Sequence, residues 1–514
     1  LSMRSLAIFA TVIAVALCAD APFIWPLPKE YKFGDKTVTV DAYHFRFSTP
    51  AQSNELISAF QRYYDLIFDR KSEIVAEGVR NVRVTVEVDK AELQLGVDES
   101  YTLEIPEDGS DILITAPNAF GAMHGLETLS QLIVFDSETL TYVIKNAPWV
   151  INDAPRFPHR GILMDTARHF ESLPSIKKLI DSMTYAKLNT LHWHISDSQS
   201  IPAQSLSFPK WWEGSYTPME RYSVMDIEEI VEYARMRGIR VVPEMDVPGH
   251  EASWCTGYPE VCPSESCLEP LDPTSEQTWA LIQGVLDEWS GKEQGKGIFF
   301  DNYFHMGGDE VDTSCWKNTQ HIIDWMKANN FTDHDTYKYF VEKVHKIVMD
   351  NQRNGIFWEE VWLNFGTNLD KNTIIQTWLN KQTMKDIVSH GYRVIISDPH
   401  TYLDHLDETW KALYNDEPFE FTDDPEEQKL VLGGEACMWA ETVDVSDLYN
   451  TVWPRAGAFA ERYWSPREVN DVEAAHDRIR HFRCLLNRRG IPAAPVDNAR
   501  GRSAPPNPGS CYYQ

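Results

Sequence analysis

Apolar positions along this chain follow two rhythms. From Ala21 to Trp149, short alternating or β-branched runs at Thr37–Val40, Val82–Val88, Tyr101–Ile105, Asp111–Thr115 and Thr141–Ile144 predict strands. Two amphipathic stretches, Asn54–Phe68 and Asn118–Phe135, predict helices among them. Closely spaced strands with two intervening helices predict an α+β domain over 20–150, built on a mostly antiparallel sheet. Pro148, Asp153-Ala154-Pro155 and Pro158 then interrupt the pattern. The rest of the chain, 151–514, reads as a second domain.

There an apolar run ends in polar or aromatic residues, a helical segment follows, and the unit repeats. The runs are Gly161–Asp165, Leu188–His194, Ile239–Met245, Ile298–Gly307, Gly355–Trp358, Thr373–Trp378, Tyr392–Ser397 and Leu432–Met438. One helix is expected to start at Asp226 as N-cap, with Glu229 completing a capping box, and to stop at Gly238. Its apolar residues Ile227, Ile230, Val231 and Ala234 keep helical spacing. Eight strand–helix units predict an α/β fold, a (β/α)₈ TIM barrel with a C-terminal helix and tail. A doubly wound open sheet is the alternative, but no Gly-x-Gly-x-x-Gly follows the first strand.

Charge narrows the partners. Lys and Arg number 47 against 77 Asp and Glu, a net −30, which argues against nucleic acid and against anionic membrane surfaces. At the N-terminus, Met3-Arg4 precedes an apolar stretch, Leu6–Leu17, and the small residues Cys18-Ala19. That arrangement predicts a signal peptide over 1–19 and a chain that enters the secretory pathway, with no membrane association after its removal. Asn330-Phe331-Thr332 is a glycosylation sequon. Past the leader, seven cysteines remain, an odd count that implies three bridges and one free thiol. Cys437, in an apolar run, is the candidate for the free one.

In a barrel, chemistry belongs at the C-terminal ends of the strands. Those ends carry Asp165-Thr166-Ala167-Arg168-His169, His192-Trp193-His194 with Asp197, Glu244-Met245-Asp246 and His250, and His305-Met306-Gly307-Gly308-Asp309-Glu310. They continue with Trp358-Glu359-Glu360, Trp378, Tyr402-Leu403-Asp404 and Trp439-Ala440-Glu441. Carboxylates and arginine can hydrogen-bond several hydroxyls, and flat indoles can cover the apolar faces of a pyranose. Among 17 tryptophans, Trp358, Trp378 and Trp439 are placed to wall such a pocket.

These segments, together with Arg160-Gly161-Ile162-Leu163-Met164, Pro248-Gly249-His250 and Gly433-Gly434-Glu435-Ala436-Cys437-Met438-Trp439, resemble the β-N-acetylhexosaminidases of glycoside hydrolase family 20, the eukaryotic lysosomal and secreted type. The resemblance spans nearly the whole chain after the leader. It implies retaining, substrate-assisted hydrolysis of terminal N-acetylglucosamine or N-acetylgalactosamine, in which the substrate's own acetamido oxygen is the nucleophile. It assigns Glu310 as general acid/base and Asp309 as the residue orienting the acetamido group. Arg168 and Glu441 would bind hydroxyls, Tyr402 the acetamido oxygen, and Trp358, Trp378 and Trp439 the sugar faces. Asp197, His250 and His305 would support the site, and Asp404, followed by His405 rather than an arginine, points towards neutral substrates. A general acid needs its proton, so the Glu310 pKa is expected to be raised. The resemblance also implies bridges Cys267–Cys315 and Cys484–Cys511, leaving Cys255 with Cys262. A homodimer, a lysosomal or extracellular location, and no metal or other cofactor complete the expectation.

Two rival readings differ in chemistry. His192-Trp193-His194 at a strand end suits a metal-dependent amidohydrolase, but that requires further histidines at strands five and six, where the chain has Trp-Glu and Trp. A catalytically inactive carbohydrate-binding relative should have lost the acid or its neighbour, and both are present.

Overall fold

The computed structural model describes residues 22–291 and 297–497. The leader expected over 1–19 and Cys511 therefore lie outside the described residues, and with Cys511 the Cys484–Cys511 bridge.

The N-terminal unit is a seven-stranded sheet of β1 (Glu30–Val40), β2 (Arg46–Ser48), β3 (Asn81–Val86), β4 (Tyr101–Ile105), β5 (Ile112–Ala116), β6 (Ile133–Asp136) and β7 (Thr141–Asp153). Its order is β1-β7-β4-β5-β3-β2, with β6 also on β7; the pairings are antiparallel except β2 with β3 and β3 with β5. Helices Asn54–Ile67 and Ala119–Leu132 pack on it around Leu56, Leu103, Ile114 and Leu126, all buried. Ser53 and Asn118 cap these helices by accepting backbone N–H bonds.

The barrel strands are β8 (His159–Asp165), β9 (Thr190–His194), β10 (Arg240–Glu244), β11 (Tyr303–His305), β12 (Asn354–Trp358), β13 (Ile374–Thr377), β14 (Arg393–Ile396) and β15 (Val431–Met438). They close in sequence order, all parallel, with β15 returning to β8. Every residue of β8, β9 and β10 is buried, as strands covered on both faces must be.

Two local expectations are corrected. The helix expected from Asp226 runs Val224–Arg235; Ser223 is its N-cap and Asp226 the reciprocal partner three residues on. The fourth barrel strand, expected from Ile298, begins only at Tyr303. Before it, Phe299 N–H bonds Trp289 O, and Asp301 accepts from Arg240 and from Tyr303 N–H, so this stretch packs against the preceding helix and β10 instead of pairing.

Part of the core is ionic. Glu435 on β15 accepts from Gln376, and its two oxygens lie 2.7 Å from His159 Nε2 and 2.8 Å from His192 Nδ1. A Cβ on Gly161 would sit 2.7 Å from the Glu435 side chain, so glycine at that register makes room for it. Bridges Cys255–Cys262 and Cys267–Cys315 clamp the loops after β10 and β11, and among the described residues Cys437 is free and buried. Asn330 is exposed, in the left-handed conformation that ends the helix Gln320–Asn329. No helix among the described residues is long and apolar enough to cross a membrane.

Candidate active site

Strand register builds a charged layer just below the barrel mouth. Asp165 pairs laterally with His194, His194 with Glu244, and Glu244 with His305. Glu244 Oε2 lies 2.5 Å from His194 Nδ1, its Oε1 lies 2.8 Å from His305 Nδ1, and the Trp358 indole N–H donates to Oε1 at 2.7 Å. Burial disfavours charge on these groups, but the surrounding histidines pull Glu244 well below the carboxylate range, and Glu244 with Asp197 pushes His194 well above the usual histidine value. The layer thus holds the Glu244 carboxylate against the His194 cation away from water, while burial lowers the pKa of His305 on its other side.

Above it lies a cleft of about 620 Å³, open to solvent. Its charged lining is Arg168, Asp246, His250, Asp309 and Glu310 with Asp404, His405 and Glu441; its aromatic lining is Trp358, Trp378, Tyr402 and Trp439. Of the residues singled out from sequence, Asp197 and His305 lie beneath the cleft, fully buried, while the rest of the site set lines it. The Trp378 and Tyr402 rings stack with centroids 6.2 Å apart at 11°, and Trp358 and Trp439 meet at 5.9 Å.

Asp309 and Glu310 follow the end of β11 through a tight turn. Gly307 and Gly308 have φ of 60° and 91°, and Glu310 itself has φ 47°, an uncommon conformation for a non-glycine residue. The turn is tight because Asp246 fills it: its Oδ1 accepts from Gly308 N–H at 2.8 Å, and a Cβ on Gly307 would fall 1.8 Å from the same oxygen. Trp358 N–H donates to Gly307 O at 3.0 Å, and the Tyr337 hydroxyl donates to Gly308 O.

The turn gives adjacent carboxyls different surroundings. Asp309 is mostly buried, and burial with the charge of Asp246 raises its pKa well above the ordinary value; its Oδ1 has no hydrogen-bond partner. Burial also raises Asp246 to about 6. Glu310 is more than half exposed and lies 3.6 Å from His250 Nε2. This corrects the expected direction: the charged His250 ring facing the Glu310 carboxyl holds its pKa below the usual range. Burial works against charge on His250, but Asp246, Asp197, Glu310 and Asp309 together push its pKa far up.

Arg168 joins the end of β8 to the Trp439–Glu441 segment. It donates to Asp165 at 3.0 Å and Gln199 at 3.1 Å, lies 2.7 Å from Asp197 and 3.5 Å from Glu441, and stands over the Trp439 ring. Asp197 thereby meets three cations at once: Arg168, His194 at 2.8 Å and His250 at 3.4 Å. Asp165 also accepts from Ala440 N–H at 3.1 Å, tying the Trp439–Glu441 segment to the first strand.

Among the described residues, donor atoms come within 4.8 Å of one another in three groups: His192, Glu244 and His305; His194, Asp197 and Asp246; and Asp246, His250 and Asp309. Both nitrogens of His194 already face carboxylates within 2.8 Å, so its geometry is satisfied as an ion-paired imidazole. The roles of Asp246 and Glu244 escaped the sequence reading, although both stand at the end of the third barrel run. Their partners arrive from β9 and β11, a relation that barrel closure alone creates.

Comparison with known proteins bears on this site. Residues 157–467 match the glycosyl hydrolase family 20 catalytic domain, and residues 24–132 match a domain described as β-acetyl hexosaminidase-like. Beta-hexosaminidase 1 of Arabidopsis thaliana is 46% identical, the alignment covering 96% of this chain and 95% of that protein. The α subunit of Mus musculus β-hexosaminidase is 37% identical, with 94% and 96% covered. Among solved structures, a chitobiase of Flavobacterium johnsoniae superposes with a TM-score of 0.81 at 28% identity, covering 91% of this chain and 73% of its own. With the catalytic-domain match spanning the barrel and relatives aligned along nearly the full length, the chain belongs to the β-N-acetylhexosaminidases of glycosyl hydrolase family 20.

Proposed function

We propose that this enzyme removes terminal β-linked N-acetylglucosamine or N-acetylgalactosamine from glycans, glycoconjugates or chitooligosaccharides, with retention and with the substrate's acetamido group as nucleophile. The observation that carries this reading is the contrast between the adjacent carboxyls Asp309 and Glu310, one sunk beside Asp246 and one at the solvent side of the cleft. Asp309, with an unbonded buried oxygen, is suited to accept the acetamido N–H. Tyr402 would donate to the acetamido oxygen as it closes on C1. Glu310 gives its proton to the glycosidic oxygen as the C1–O bond breaks, leaving an oxazolinium-type ring. It then takes a proton from water, which attacks C1, opens the ring and restores the acetamide.

Arg168, Asp404 and Glu441 would hold ring hydroxyls while the indoles cover the sugar faces. A sugar in the cleft strips solvent from Glu310, and that desolvation raises its pKa towards the range an acid needs, against the pull of His250. Asp404 beside His405 favours uncharged sugars. The test is trapping with a 2-fluoro glycoside followed by peptide mass spectrometry, together with turnover of glycosides lacking the 2-acetamido group. Substrate assistance predicts no glycosylated peptide and very poor turnover of the truncated glycosides. A sugar bound to an Asp or Glu would replace it with the two-carboxylate scheme.

The basic-then-apolar N-terminus and two loop disulfides support passage through the secretory route, to the lysosome or the cell exterior. Exposed Asn330 would carry a glycan, read as a mass loss on deglycosylation. The mouse relative is a subunit of an assembly, and a homodimer of this chain is testable by sedimentation.

A further inference from the structure

The carboxylates that follow Trp358 have no part in the chemistry above, yet they are bonded to a wall of the cleft. Glu359 and Glu360 open the short helix Glu359–Phe365. Glu359 Oε2 accepts from the backbone N–H of Trp378 and of Leu379, each at 2.7 Å. Glu360 Oε2 accepts from the Trp378 indole N–H at 2.9 Å. Trp378 is therefore held at both ends, its main chain by one glutamate and its ring by the next. Glu360 is not part of the cleft lining; it meets the Trp378 ring at its N–H edge, and Tyr402 stacks on Trp378 from the neighbouring loop.

An indole at the end of a strand can turn about two side-chain torsions, and packing on one face leaves rotation in the ring plane poorly determined. A hydrogen bond to Nε1 removes that freedom and decides which face is presented to the cleft. We propose that Glu360 is a positioning residue for sugar binding, acting through the Trp378 indole. The proposal rests on the reading of Trp378 as a sugar-covering wall. Burial and the charge of Asp309 push the Glu360 carboxyl up to about 7, so at acidic pH it is neutral and its carbonyl oxygen still accepts the bond. Glutamine, which mimics that neutral form, should replace it; methionine fills the volume without an acceptor.

The experiment measures KM and kcat for Glu360→Met, Glu360→Gln, Trp378→Phe, Trp378→Ala and the double variant Glu360→Met with Trp378→Phe. Loss of one hydrogen bond that orders a binding ring predicts a KM raised about five- to tenfold in Glu360→Met, with kcat changed far less. Glu360→Gln should recover most of that loss. In the Trp378→Phe background, where no N–H remains, Glu360→Met should add nothing further. Independent, multiplicative effects of the two substitutions would overturn the proposal, as would a Glu360→Gln variant as impaired as Glu360→Met. If Trp378→Ala raises KM while Glu360→Met does not, the positioning role falls and the sugar wall stands. If Trp378→Ala leaves KM unchanged, the wall reading falls and takes the positioning role with it.

Discussion

His250 Nε2 lies 3.6 Å from Glu310 Oε2, while Nδ1 of the same ring lies 3.4 Å from Asp197. The ring is charged because Asp246, Asp197, Glu310 and Asp309 all face it, and its charge lowers the pKa of Glu310. In its proposed role as acid Glu310 must work protonated, so this contact would orient Glu310 and oppose its protonation at once.

Replacing His250 with glutamine separates the two effects. Without the cation, the Glu310 pKa rises, and the alkaline limb of the kcat/KM profile moves to higher pH. The maximal rate falls, because the charged contact at 3.6 Å that orients Glu310 is lost, by about 10- to 100-fold on the scale of general acid catalysis. A pH profile with the limb unmoved would refute electrostatic control by His250.

Asp246 acts on the neighbouring carboxyl with the opposite sign. Its negative charge is the first cause, after burial, of the raised Asp309 pKa. Asp246→Asn removes that repulsion and keeps an oxygen for Gly308 N–H, so Asp309 ionises at lower pH. If Asp309 must be a carboxylate to hold the acetamido N–H, the acidic limb of kcat/KM shifts downward. The Asp246 variant should therefore widen the profile on its acidic side. The His250 ring lowers the pKa of both Glu310 and Asp309, so its variant should move both limbs to higher pH. An acidic limb unmoved in Asp246→Asn would show that Asp309 does not act as assigned.

Arg168 bridges several groups at the mouth. Its guanidinium bonds Asp165 and Gln199 and meets Asp197 and Glu441, a span that a lysine ammonium cannot cover. Arg168→Lys should raise KM about tenfold or more through lost hydroxyl binding. It should also lower kcat, because Asp197, which supports His250, loses a partner. Steady-state kinetics alongside a thermal melt checks this; an unchanged KM would remove Arg168 from the binding set.

Much of this architecture was legible because parallel barrel strands buried on both faces leave unbroken apolar runs, and because the run ending in Met306-Gly307-Gly308-Asp309-Glu310 carries its turn residues with its two carboxyls. The missed features share a cause. Ser223-x-x-Asp226 and Asp226-x-x-Glu229 are overlapping capping patterns, and helix packing chose the first. The pairing of Asp165, His194, Glu244 and His305 depends on lateral register among four strands, which no local pattern encodes. The sign of the Glu310 shift depends on where the loop after β10 delivers His250. Residue types were readable one strand at a time; their mutual electrostatics required the closed barrel.

The joint between the two domains offers a stability test independent of the site. Arg160 at the start of β8 reaches across to Glu99 in the N-terminal domain through two bonds, 3.0 Å and 2.7 Å, with both side chains buried. Asn189 and His124 each bond the same carboxylate at 2.9 Å. Burial would raise the Glu99 pKa, but Arg160 and His124 hold it at about 2. A folded pKa depressed below the unfolded value gives stability that is fully present above about pH 4.5 and is lost as pH falls towards 2. Arg160→Met keeps the volume and strands a buried carboxylate, so at pH 7 it should lower stability by about 3–5 kcal/mol. In that variant the orphaned Glu99 takes up a proton more easily, so the deficit relative to the parent should shrink between pH 7 and pH 4. Paired thermal melts at the two pH values read both effects. A deficit of equal size at pH 7 and pH 4 would mean that Arg160 contributes packing and not charge to the domain joint.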